Sequence, residues 1–174
     1  MERKVQDIEI NNNFGVFKIL VCGVVKQGDY ILAQKSRRYP GYCLPGGHVE
    51  IREDVYTAVV REMEEELQTK IKLDRMFLVN ENFFMLQERL AHEIAMYFYV
   101  HPETDLPKED FALTENDNGN IITHYYHWIH IDQLDEENLK PNIVRQYIKQ
   151  DDNSCPYVVT KDKNVVGEDI HLSV

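Results

Sequence analysis

"LPGGHVEIREDVYTAVVREMEEEL", residues 44–67, opens on two glycines and passes through a short polar lead into a segment of helical periodicity. Val55, Val59, Met63 and Leu67 recur every four residues, and Asp54 is suited to cap the segment that they begin. This spacing predicts a helix of about three turns with the core beneath its apolar stripe. On a wheel of roughly 100° per residue, Glu62 and Glu66 fall beside Val55 and Ala58 at the edge of that stripe, and Glu65 sits at its flank. Like charges at these spacings repel by a few tenths of a kcal/mol per pair.

A solvated acidic face is the commoner fate of a charge run, but such a face belongs on the far side of the helix. Carboxylates at the core's edge have a cost that a bound divalent cation removes, and oxygen donors in numbers are what Mg²⁺ or Mn²⁺ prefers. Gly46 and Gly47 allow the backbone to approach the same place closely, so a carbonyl there can add a further oxygen.

These residues carry a resemblance. The segment resembles the Nudix box, G-x-x-x-x-x-E followed by seven residues and then R-E-U-x-E-E-x-G-U, where U is bulky and aliphatic. Gly47, Glu53, Arg61, Glu62, Met63, Glu65 and Glu66 match in register, and "LPGGHVE" is similar to the family's usual lead-in. Two positions depart: Gln68 stands for the late glycine and Thr69 for the aliphatic, with Ile71 beyond. That glycine turns the chain out of the helix, so the departure bears on the C-cap and not on the acids.

The resemblance covers the box strictly and the strand order around it loosely, from about residue 14 to 150. It implies a Nudix fold, an α/β/α sandwich with a mixed central sheet, and metal-dependent hydrolysis of a diphosphate linkage in a nucleoside diphosphate derivative. It further implies that Glu62, Glu65 and Glu66, with the Gly46 carbonyl, hold Mg²⁺ or Mn²⁺, and that Arg61 and Glu53 form an ion pair orienting them. Glu65, Arg61 and Glu53 thereby join Glu66 as catalytic candidates. The family's general base varies and often comes from a later loop, so Glu66, Glu109 and Glu115 are all candidates.

Toward substrate, Arg37 and Arg38 are candidates for phosphate contact, about evenly balanced against solvated roles. Gly47 and His48 stand where the chain approaches it, with packing an equal alternative for His48. Phe83 and Phe84 are candidates to stack on a base, against the commoner core role of aromatics at strand ends. His124, His127 and His130 build no zinc site in a strand, because His124 and His130 share one face and His127 takes the other. Near Asn82–Leu86 the chain lacks both the proline of ADP-ribose hydrolases and the tyrosine of dinucleoside polyphosphate hydrolases, so the substrate is not readable.

The rest of the chain frames this site as one domain of 174 residues: an N-terminal arm (1–13), the core, and a C-terminal extension (151–174). "FGVFKILVCGVVKQGDYILAQKS" predicts strands near 16–25 and 30–35 joined by a hairpin, and Tyr42–Leu44 a brief strand. "KIKLDRMFLVNENFF", "HEIAMYFYVH" and "ITHYYHWIHI" predict three more. "PETDLPKEDFALTENDNGN" reads as a loop, and "LDEENLKPNIVRQYIKQ" as a second helix with Pro141 in its first turn. "YVVT" and "DIHLSV" suggest an edge hairpin.

Thirty acidic against nineteen basic residues give a net charge of -11, which disfavours nucleic acid and anionic membrane as partners. A small nucleotide-like substrate would reach this surface through a cation. Three widely spaced cysteines and the lack of an apolar leader point to a cytoplasmic protein. A homodimer through the arm or the final hairpin is compatible with the sequence and not required by it. The rival reading from another class is a non-hydrolytic nucleotide sensor of the same fold, which has no need of every box acid; an RNA-end pyrophosphatase is disfavoured by charge.

Overall fold

Strand β2 (Gly15–Gln27) organises the molecule, because both of its edges and both of its faces are used. The computed structural model describes residues 6–86, 88–117 and 119–165. Along one edge β2 runs parallel to β7 (Arg89–Pro102), from Val16 opposite Ala91 to Val25 opposite Val100. Its other edge takes β1 (Glu9–Asn12) and β5 (Gly46–His48), both antiparallel. Its last residues, Lys26 and Gln27, turn through Gly28 into β3 (Tyr30–Lys35). β6 (Ile71–Leu86) forms a long antiparallel hairpin with β7, and β11 (Tyr157–Lys161) adds parallel to β6 at the edge. On the β3 side, β9 (Asn120–His130) pairs with β3 and with β8 (Phe111–Asp117), while β4 (Tyr42–Cys43) and β10 (Leu139–Lys140) extend the far edge.

Alternation then sorts side chains to two faces. Val24, Ile31, Ala95, Tyr97 and Ile129 pack with Val144 and Ile148 of α2 (Asn142–Gln150). Val21, Val25, Leu32, Phe98 and Tyr126 pack with Ala58, Val59, Met63 and Leu67 of α1 (Val55–Leu67). One helix on each face of a mixed sheet is the α/β/α sandwich expected. Among the described residues no helix is long and apolar enough to cross a membrane.

The Asp54 carboxylate caps α1 by accepting from the Tyr56 and Thr57 amides, each at 2.9 Å. At the other end Gln68 takes the left-handed conformation (φ 54°, ψ 33°), where glycine would sit without strain. Its side chain donates to the Thr114 carbonyl at 2.7 Å, which offsets part of that cost.

Four expectations change. The stretch read as a loop contains β8, whose Phe111 and Leu113 pack toward α1 while its acids and amides conceal the alternation. The second helix is shorter: Pro141 is its N-cap and not part of its first turn, and residues 134–140 form turns and β10. Arg145 and Lys149 reach back from α2 to Asp135, at 3.1 and 2.6 Å. The N-terminal arm, set apart from the core in the sequence, docks onto it from residue 6 on, since β1 pairs with β2, the Ile8 amide donates to Val49 and the Ile51 amide donates to Gln6. "YVVT" forms β11, an edge strand, whereas "DIHLSV" lies outside the described residues.

Candidate active site

The third turn of α1 faces β5, and Arg61 is the hub between them. Its guanidinium donates to both oxygens of Glu53, at 3.1 Å from Nε and 2.7 Å from Nη2. Nη1 donates to Glu62 (2.9 Å) and Glu65 (3.1 Å), and Nη2 donates also to the His48 carbonyl (3.0 Å). Burial works to raise the pKa of Glu53, but Arg61 and the Glu50 amide hold it below the usual carboxylate value. A planar fork that meets a carboxylate side-on fixes that carboxylate's plane, which a point charge does not.

Glu66 is the most enclosed of the acids, 4% exposed, against 17% for the Glu62 side chain and 53% for that of Glu65. It accepts from the Gly46 amide at 3.1 Å. Glycine is required at 46, where φ is +139° and a Cβ would stand 2.1 Å from the Val21 carbonyl oxygen. At Gly47 a Cβ would meet the Glu62 carboxylate at 2.2 Å. Gly46 therefore lets β5 close on the backbone of β2, and Gly47 gives the Glu62 carboxylate room against the backbone.

Burial, and then the charges of Glu62 and Glu115, push Glu66 well above the ordinary carboxylate range, while the Gly46 amide pulls the other way. Burial pushes Glu62 up to about 7, helped by Glu65 and Glu115 and opposed by Arg61. An acid with a raised folded-state pKa makes the fold less stable as pH climbs from its unfolded value through its folded one. For Glu62 that window runs from about 4.5 to about 7.

His124 completes this inner wall. It is 4% exposed, with Nδ1 3.6 Å from Glu66 and in close contact with the Gln34 amide nitrogen. Its Nε2 lies 3.0 Å from Glu115, yet the alignment is poor and this nitrogen has no hydrogen-bond partner among the described residues. The chemistry of this donor set fits a hard divalent cation: buried carboxylates that raise one another's pKa, beside a glycine backbone. Among the described residues, no three His, Cys, Asp or Glu side chains are gathered at ligating distances, because Glu62 and Glu65 lean onto Arg61.

These groups open into a cleft of about 1800 Å³. Arg37, Arg38, Gly46, Gly47, His48, Arg61, Glu62, Glu65, Glu66 and Glu115 all line it, whereas Glu53 stands behind Arg61. His48 faces the docked arm, 3.7 Å from Asp7 and 3.4 Å from Glu9. Two further candidates do not reach the cleft. Phe83 is 8% exposed and stacks on His92 at 4.3 Å, so it belongs to the core, and Phe84, its neighbour of opposite parity, lines the cleft in its place. Glu109 lies on an exposed stretch before β8 and is not part of the wall. His124, Gln34, Lys18 and Glu93 line the cleft without having been anticipated there. For His124 the signal was strand parity, which set it opposite His127 but named no neighbour.

A family model described as the NUDIX domain matches residues 16–150. In structure the chain is similar to the mutator MutT protein of Bacillus halodurans, at 14% identity and a TM-score of 0.57 over 82% of this chain and 89% of that one. It is similar also to a MutT NUDIX hydrolase from Burkholderia pseudomallei, at 23% identity and 0.50 over 77% and 97%. A UDP-X diphosphatase aligns at 18% identity and 0.52 over 84% and 69%. At these identities the likeness is one of fold. No curated protein matches the sequence.

Proposed function

This chain belongs to the Nudix hydrolase family, and from that premise we propose that it hydrolyses a diphosphate linkage in a nucleoside diphosphate derivative with Mg²⁺ or Mn²⁺. The observation that carries this reading is Glu66: a buried carboxylate on the cleft wall, held by the Gly46 amide and crowded by Glu62 and Glu115. Glu62, Glu65, Glu66 and the Gly46 carbonyl would hold the cation. When bound, it would neutralise pyrophosphate oxygens and make water a better nucleophile.

The chain's own groups do the remainder. Arg61, tied to Glu53, sets the plane and spacing of the helix acids. Arg37 and Arg38 would meet phosphate oxygens at the cleft mouth. Glu115 is favoured over Glu109 as the group that takes a proton from the attacking water, because it shares the wall with His124 and Glu66. The three free cysteines support a reducing, cytoplasmic setting.

The test is a panel of nucleoside diphosphate derivatives assayed with Mg²⁺, with Mn²⁺ and with EDTA. At least one is expected to yield a nucleoside monophosphate and a second phosphate ester, and the chelator is expected to stop turnover. A folded protein that binds one compound tightly and cleaves none would be a sensor. Gly47→Ala drives a methyl into the space of the Glu62 carboxylate, and divalent affinity by calorimetric titration is expected to fall roughly tenfold.

A further inference from the structure

Across the cleft floor, strand pairing lines up Lys18 of β2 with Glu93 of β7, Glu93 with Asn82 of β6, and Asn82 with Thr160 of β11. These four polar residues form one row on the face of the sheet that carries α2, beyond the reach of its Val144 and Ile148. Lys18 and Glu93 are 4% and 9% exposed, and Lys18 Nζ lies 2.9 Å from Glu93 Oε2. A buried ion pair is a poor stabiliser compared with apolar side chains of similar volume, so its place on a cleft floor asks for another explanation. β7 and β5 occupy opposite edges of β2, which separates this row from the glycines and helix acids.

Resting on the hydrolase reading above, we propose that the Lys18–Glu93 pair recognises the substrate's nucleobase, selecting a ring with a carbonyl beside a ring N–H, the edge of uracil, guanine and hypoxanthine. The ammonium only donates and the ionised carboxylate only accepts, so together they read an acceptor next to a donor. Glu93 spends Oε2 on Lys18 and keeps Oε1 for the ring N–H. An amidine edge, as in adenine or cytosine, matches in pattern but is weaker in both partners. Its ring nitrogen offers one in-plane lone pair where a carbonyl offers two, and its exocyclic N–H is a less acidic donor to a carboxylate.

Two neighbours support the geometry. The Phe84 ring, one row outward, lies 5.9 Å from Lys18 Nζ and gives the base an apolar surface to lie against. On the other flank the Thr160 hydroxyl lies 2.8 Å from Asn82 Oδ1 and 2.9 Å from Asn80 Oδ1, so its one proton is shared between the amide that borders Glu93 and the next one along β6.

The experiment is equilibrium binding, in the presence of Mg²⁺, of UDP, GDP, ADP and CDP to the whole chain, with inorganic pyrophosphate as the base-free probe. UDP and GDP are expected to bind tighter than CDP and ADP by roughly tenfold or more. Glu93→Gln is expected to erase that preference while pyrophosphate affinity stays the same. Because Glu93→Gln leaves Lys18 buried without its partner, the Lys18→Met, Glu93→Gln double variant, which removes both charges, is measured beside it. Equal affinity for all four bases in the wild type, or a preference that survives in the folded double variant, overturns the proposal. Failure of pyrophosphate to bind would count against the hydrolase reading alone, and the base preference would then be read with uridine and guanosine against cytidine and adenosine.

Discussion

Glu66→Gln is expected to lower turnover by two orders of magnitude or more while leaving the protein at least as stable as the wild type. The two effects have opposite signs for one reason. Glu66 is 4% exposed and stands among like charges, so burial and the fields of Glu62 and Glu115 raise its pKa well above the carboxylate range. Ionising it in the folded state therefore costs free energy that the unfolded chain does not lose. Glutamine keeps the volume, and its carbonyl oxygen can still accept from the Gly46 amide, but it carries no charge. The melting temperature in chelator is expected to be equal or higher at pH 7–8, with the difference vanishing near pH 4, where both forms of the chain are protonated. A side chain retained only for packing would show unchanged turnover, because glutamine fills the same space and keeps the bond to the Gly46 amide. Full activity in Glu66→Gln would remove this residue from the site.

What could be read from the chain in advance was whatever depends on near neighbours in sequence. The Asp54 cap, the Val55–Val59–Met63–Leu67 stripe and the place of Glu66 at the edge of that stripe all follow from reading one helix, and the structure has each of them, with Glu66 enclosed there. Gln68 is of the same kind: the missing glycine marked the place where a non-glycine residue takes the left-handed conformation. Features that depend on pairing between distant strands were not legible. β8 is acidic and amide-rich, and only its partnership with β9 makes Phe111 and Leu113 an inward face. The choice between Phe83 and Phe84 is one of parity, and β6 shifts register against β7 between Leu73 and Arg75 and again between Met76 and Leu78, so counting along the strand does not settle it. His124 gains its carboxylate neighbours from α1 and β8 only once both have packed. Lys18 and Glu93 meet because β2 runs parallel to β7, a contact that no local spacing announces.

Arg61→Ala and Arg61→Lys together separate the charge of this residue from its shape. Alanine leaves Glu53, Glu62 and Glu65 without their shared cation and the His48 carbonyl without its donor. Breaking a fully buried pair costs about 3–5 kcal/mol, and since the Arg61 side chain is 23% exposed, solvent reduces that to roughly 2 kcal/mol in a urea titration. Lysine restores the charge and with it part of the stability. It does not restore the fork that holds both oxygens of Glu53 while reaching Glu62, Glu65 and the β5 carbonyl. Turnover is accordingly expected to stay about tenfold or more below wild type in both variants, on the scale of residues that orient metal ligands. Mg²⁺ is expected to narrow the stability deficit of Arg61→Ala, because a cation among Glu62, Glu65 and Glu66 takes over the neutralisation that the guanidinium provided. If Arg61→Lys turns over at the wild-type rate, the carboxylates need only a nearby positive charge, and the bidentate grip on Glu53 has no part in aligning them.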